Sequence, residues 1–199
     1  MRWFGPNVNE VWHAVCGQLH GEYRDGGLWK SDQVRVRHDA WLLTLDVYTV
    51  SGEGHNEQFT RMRAPFYNQN GFRFLIRHQG VIDRVGKSLG MQDVEIGDEA
   101  LDKTFVFQSK QEDQLRRLLD DAPLRTMLKA EPWARLEVKH GEGWFGPKFP
   151  PNVDELALQV RGKVEDPGRL RRMFDLLGLT LDRLAAIGAA ARIDPGLEL

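Results

Sequence analysis

One cysteine, Cys16, in 199 residues excludes an intramolecular disulfide and any zinc site built from several thiolates, and it fits a reducing compartment. Long apolar runs are missing as well. Nowhere do about 18 apolar residues follow one another, and the opening MRWFGPNVNE lacks the apolar core of a signal peptide. The expectation is a cytoplasmic chain with no membrane insertion. Charge of one sign is absent too: 27 Lys and Arg stand against 29 Asp and Glu, a formal net charge of -2, so no global drive toward nucleic acid or an anionic membrane exists. Motifs with a fixed mechanism are also lacking, with no GxxxxGK[ST] or GxGxxG loop for phosphates, no GxSxG elbow and no HExxH. His13, His20, His38, His55, His78 and His140 show no metal-ligand spacing on one predicted helix, and Cys16 beside His13 or His20 reads as a buried, inert thiol. Nothing here asks for a nucleotide or an acyl-enzyme, and no cofactor is expected.

What is present is ordinary in amount and informative in order. Apolar residues make up 41% and charged residues 28%, which suits a single globular domain over 1–199 with a sizeable core. Val11, Trp12, Val15, Cys16 and Leu19 recur at helical spacing behind Asn7 or Asn9 as cap, and Gly21 ends that helix. Asp25-Gly26-Gly27 signals a hairpin. Val34 and Val36 alternate with Arg35 and Arg37 in an edge-like strand. Trp41, Leu43, Leu45 and Val47 then face one way in a long central strand, and Leu42, Thr44, Asp46 and Tyr48 face the other. Gln58, Thr60 and Met62 alternate with Phe59, Arg61 and Arg63, and Pro65 is expected to stop the ladder because it has no N–H to donate. Beyond the YNQNG turn, Phe72, Phe74 and Ile76 alternate with Arg73, Leu75 and Arg77. Four or five strands on short polar turns predict an antiparallel meander.

In the second half, Ser109 with Glu112 fits a capping box opening a helix on Leu115, Leu118 and Leu119. Pro123 breaks it, and Asp120 or Asp121 caps a second short helix carrying Leu124, Met127 and Leu128. Two more strands follow, through Leu136 and through Leu158, around the loop GEGWFGPKFPP. Asp166 caps and Pro167 starts a long last helix, whose stripe from Leu170 to Ala185 is widened by Leu176, Leu179 and Ile187. That breadth suits burial against a sheet and also a homodimer contact. The fold expected is α+β: an antiparallel twisted sheet or open barrel of about seven or eight strands, with a short N-terminal helix, an inserted helical pair and a long C-terminal helix.

The chain is organised around LGMQDVEIGDEALDKTFVF, from Leu89 to Phe107. Asp93, Glu95, Asp98, Glu99 and Asp102 fall within ten residues there, ahead of an alternating strand. Carboxylates so grouped can hold a hard cation or keep one carboxyl at a raised pKa. The preceding Arg61, Arg63, Arg73, Arg77, Arg84 and Lys87 face one acid, Asp83, and so offer the acidic run partners within the same molecule. The string Ile96-Gly97-Asp98-Glu99-Ala100-Leu101-Asp102-Lys103, with its aromatic-rich strand and Leu-Leu helix, resembles the IGDExFDK-like signature of uncharacterised bacterial domains of unknown function. Leu101 stands where that signature carries an aromatic. The resemblance spans about twenty residues, implies no activity, and some members carry membrane helices that this chain lacks.

Three functional readings remain. The favoured one is a non-enzymatic protein-interaction or ligand-binding module that meets an unknown protein or small molecule through Trp144, Phe145 and Phe149, since three aromatics in a Gly/Pro loop lack regular packing. The second is a carboxylate- or metal-dependent enzyme centred on Glu95, Asp98 and Asp102. The third is single-stranded nucleic-acid binding through Arg61, Arg63, Arg73 and Arg77, because Gly71-Phe72-Arg73-Phe74 resembles the base-stacking strand of RRM domains. That reading is disfavoured, because Arg73 replaces a small residue and the element order is not βαββαβ.

Overall fold

Alternating residues from Glu22 onward form four strands, β1 (Glu22–Arg24), β2 (Gln33–His38), β3 (Trp41–Gly52) and β4 (His55–Tyr67), each antiparallel to the next. The structure is a computed structural model that describes residues 8–27, 31–52, 55–81, 90–140, 149–197 and 199. Helix α1 (Val8–Leu19) precedes the strands and buries Val11, Trp12, Val15 and Cys16. The remaining strands are β5 (Phe74–His78), β6 (Gln92–Asp93), β7 (Phe105–Ser109), β8 (Arg135–Lys139) and β9 (Val153–Arg161). Among the described residues the nine make one open antiparallel sheet in the order β1-β2-β3-β4-β9-β8-β5-β7-β6. It does not close into a barrel.

The meander therefore has four strands, and β5 is not its fifth. At the end of β4 the Asn68 side chain accepts from the Phe72 amide (3.1 Å) and donates to the Phe72 carbonyl (3.0 Å), with Gly71 at φ +69° between them. This corner turns the chain away and leaves the β4 edge to β9. The expectation for Pro65 also fails: β4 runs on to Tyr67, with Pro65 opposite Glu155. The Asn68 amide bonds to the Asn152 carbonyl, so even-numbered residues at this end aim their amides at β9. Pro65 thus aims its nitrogen toward β3, beyond Arg63↔Thr44, the last pair on that side, and its missing N–H breaks no ladder bond.

Four further helices complete the chain: α2 (Glu99–Thr104), α3 (Glu112–Leu119), α4 (Ala122–Ala130) and α5 (Pro167–Ala186). Asp121 and Asp166 cap α4 and α5 by accepting from Leu124 and Arg169, with Pro123 and Pro167 in the first turns. The capping box at α3 does not form. Ser109 ends β7, where it is still paired with Phe74, and its hydroxyl accepts from the Gln111 amide and donates to the Arg73 carbonyl, leaving Gln111 as a cap without a side-chain bond. The turn expected around Asp98 is instead the start of α2, a helix of six residues and too short to show a period.

Helix α5 buries Leu170, Met173, Phe174, Leu176, Leu177, Leu181 and Leu184 and packs on α1, α3, α4, β4 and β9. At about 1.5–3 kcal/mol per buried large apolar side chain, as an upper bound, this helix is the main seal of the core. Its wide stripe is covered within the chain: Leu176 is buried, Ile187 is buried, and Leu179 is half-buried. Gly178 makes the closest approach, because a Cβ there would meet the His38 ring at 2.8 Å. His38 is thereby brought onto Asp182, 2.8 Å from its Nε2. No described helix is long and apolar enough to cross a membrane.

Candidate functional site

The acidic stretch is spent mainly on its own backbone. Asp102 accepts from the Ile96 amide (3.0 Å) with one oxygen and from the Gly97 amide (2.9 Å) with the other. Asp98 caps α2 through the Ala100 and Leu101 amides and holds Lys129 of α4 at 3.1 Å. Glu99 pairs with Lys103, Asp93 accepts from Gln108, and Glu95 is exposed. Asp98 and Asp102 thus converge on separate amides. Among the described residues no group of three or more His, Cys, Asp or Glu is arranged to hold a metal ion.

Lys129, helped by the Leu101 and Ala100 amides, holds the Asp98 carboxyl below the usual carboxylate range. A depressed folded pKa stabilises the protein above the unfolded value, near 3.9 for Asp, and the contribution is lost as pH falls through the folded value. Asp98→Asn is expected to lower the melting temperature at pH 7, with the gap to the parent closing below about pH 4. Melting curves across pH 2.5–8 on the order of half a unit apart test this, and a gap that is constant with pH refutes it.

The arginines do not pair with the acidic stretch, contrary to the sequence expectation. Arg61 meets Asp46 with two bonds of 2.9 Å, Arg63 meets the same carboxylate at 2.5 Å, and Arg63 also lies 3.9 Å from Glu155. These groups share one face of the sheet, because Asp46 sits opposite Arg61 and Arg63 opposite Thr44. Side chains of Arg63, Asp46 and Glu155 are 4%, 7% and 0% exposed, so this ionic group is sealed from water. Arg61 also lies over the Tyr48 ring at 4.7 Å, and burial pushes the Tyr48 hydroxyl pKa up. Arg77 donates to the His78 and Val81 carbonyls. Arg73 reaches Asp154 with two bonds, 2.8 and 3.0 Å. Of the four, only Arg73, at 44% side-chain exposure, is shown engaged and yet substantially open to solvent. Trp144 and Phe145 lie outside the described residues, and Phe149 is half-buried.

Two arrangements were not read from the sequence. The first is a cleft of about 230 Å³ lined by Ile96, Arg116, Arg117, Leu119, Asp120 and Arg125. Arg116 is held by Glu112 one turn earlier on α3, at 2.6 Å. Arg117 and Arg125 have no ion pair among the described residues. The Asp102 bonds that fix Ile96, and the Asp98–Lys129 pair that ties this loop to α4, hold the wall of the cleft. In sequence these three arginines look like solvated helix charges, because what faces them comes from a different helix and from the loop at Ile96.

The second lies at the end of the β8–β9 pair. Asp154, 2% exposed in its side chain, accepts from Asn68 Nδ2 (2.7 Å), Arg73 Nε and Nη2, and His140 Nδ1 (2.8 Å). Lys139↔Glu155 is the last strand pair, and one step further His140 faces Asp154. That register could be extended from the sequence only if the loop from Gly141 to Phe149 had a readable length rule, and at nine residues it has none. Compared with known protein families, curated proteins and solved structures, the chain matches none.

Proposed function

We propose that the protein is a ligand-binding module for a small anion, seated in the cleft between α3, α4 and the loop at Ile96. The observation that carries this is the convergence of Arg117 and Arg125, from two different helices, on one cleft with no carboxylate partner. Two guanidinium groups held side by side repel each other, and a phosphate or carboxylate between them removes that cost with charge-assisted bonds. The volume, about 230 Å³, falls below the range that drug-sized ligands occupy, so the occupant is phosphate-sized or a short organic acid. Asp120 in the wall accepts from a ligand hydroxyl and disfavours a second anionic group. The lining offers no hydroxyl, thiol or imidazole, which supports binding without chemistry at this place.

The test is thermal stability with inorganic phosphate against chloride at equal ionic strength, which cancels general screening. Ligand at about 100 times its dissociation constant stabilises by about 2.7 kcal/mol. The parent is expected to show a phosphate-specific rise in melting temperature that the Arg117→Gln/Arg125→Gln double variant loses. Equal shifts in both proteins reject the cleft.

A further inference from the structure

We propose that His140 is a phosphoryl-accepting residue, with Asp154 as its positioning residue and Arg73 as the cation that meets the incoming phosphoryl oxygens. The proposal stands apart from the anion cleft and shares no residue with it. It rests on the juxtaposition of a saturated, buried carboxylate, an imidazole and a half-exposed guanidinium.

The tautomer of His140 follows from its neighbours. Its Nδ1 faces Asp154 Oδ1 at 2.8 Å and the Val153 carbonyl oxygen at 3.2 Å. Both are acceptors, and the Asp154 carboxylate already takes three bonds from Asn68 and Arg73. Nδ1 therefore carries the proton, and in the neutral ring Nε2 holds the lone pair. The side chain is 50% exposed, so that lone pair can be reached by a donor in solution. Asp154 fixes the ring direction, and its charge stabilises the cation that forms when Nε2 acquires a substituent, as a carboxylate does for the imidazole of a hydrolase triad. Arg73 shares the same carboxylate through Nε and Nη2, which leaves further guanidinium N–H groups for an anion.

The step balances with a phosphoramidate as donor. The Nε2 lone pair forms a bond to phosphorus, the P–N bond of the donor breaks, and ammonia leaves with that electron pair. The ring becomes a phosphorylated imidazolium that keeps its Nδ1 proton on Asp154. No oxidant or metal takes part.

Two other exposed histidines serve as internal controls. His13 lies against the Tyr23 ring at 3.9 Å, and His20 has no ring hydrogen bond among the described residues. The full chain is treated with potassium phosphoramidate at pH 7.5, and the label is followed by ³¹P NMR and assigned by peptide mass spectrometry. His140 is expected to be labelled at Nε2 on the order of tenfold faster than His13 or His20, and Asp154→Asn is expected to abolish that lead. Ring ¹⁵N shifts must show Nε2 as the unprotonated nitrogen in the parent and a mixed tautomer in Asp154→Asn. If that variant does not fold, the comparison among histidines within the parent decides. Labelling of His140 no faster than His20, or an Nε2–H tautomer in the parent, overturns the proposal.

Discussion

Asp46→Ala is expected to destabilise the fold by about 3–5 kcal/mol, the cost of leaving a buried charge without its partner. The Asp46 carboxylate takes bonds from Arg61 and Arg63, and the Arg63 side chain is only 4% exposed. Arg61, at 16%, has a route to water and can relax outward; Arg63 does not. Glu155 at 3.9 Å shares part of the Arg63 charge, which places the loss toward the lower end of that range. Urea unfolding monitored by circular dichroism gives the value directly. The pair Asp46→Ala/Arg63→Met is expected to cost less than the sum of the single changes, with a coupling of about 0.5–3 kcal/mol, because the second change removes the orphaned charge. A single-variant loss under about 1 kcal/mol means that water reaches this face of the sheet and that the ion pair behaves as an exposed one.

Trp41→Ala is expected to cost about 3–5 kcal/mol, as large aromatic truncations in a packed core do. Trp41 is fully buried at the start of β3, flanked by the His38 ring and with the Arg192 guanidinium 5.4 Å from its ring centre. Trp41→Phe separates two contributions. The indole Nε1 is buried without a hydrogen-bond partner among the described residues, so removing it gives up no bond and relieves an uncompensated polar group. The lost volume opposes that gain, and the net change is expected to stay under about 1.5 kcal/mol. Chemical denaturation with unchanged m-values checks both numbers. A loss in Trp41→Phe as large as in Trp41→Ala shows that the indole N–H has an acceptor.

Local pattern carried most elements to the correct place. Period-2 alternation located β2, β3, β8 and β9, and caps with proline in the first turn located α4 and α5. Pattern failed where a backbone group changed partners. Pro65 was read by its own chemistry alone, but whether a missing N–H matters depends on which neighbour the nitrogen faces. Ser109 had the spacing of a cap and was instead held in the β7 ladder. The charges were the least legible. Asp46, Asp154 and Glu155 stand far in sequence from the Arg61, Arg63 and Arg73 that they meet, whereas the acidic run close to those arginines binds its own amides and Lys129.

What the sequence by itself determined is the class of the protein: an α+β chain with an antiparallel sheet and a long amphipathic last helix, because periodicity and capping act over a few residues and need no knowledge of the rest. Only the tertiary structure decided the strand order, in which β9 and β8 enter between β4 and β5, and with it every candidate site. Arg117 and Arg125 share a cleft because α3 and α4 fold back on each other beside Ile96. His140 meets Asp154 because the strand register continues one step past the ladder. Both depend on which distant backbone pairs with which, a choice made by the burial of the whole sheet and carried by no single stretch of residues.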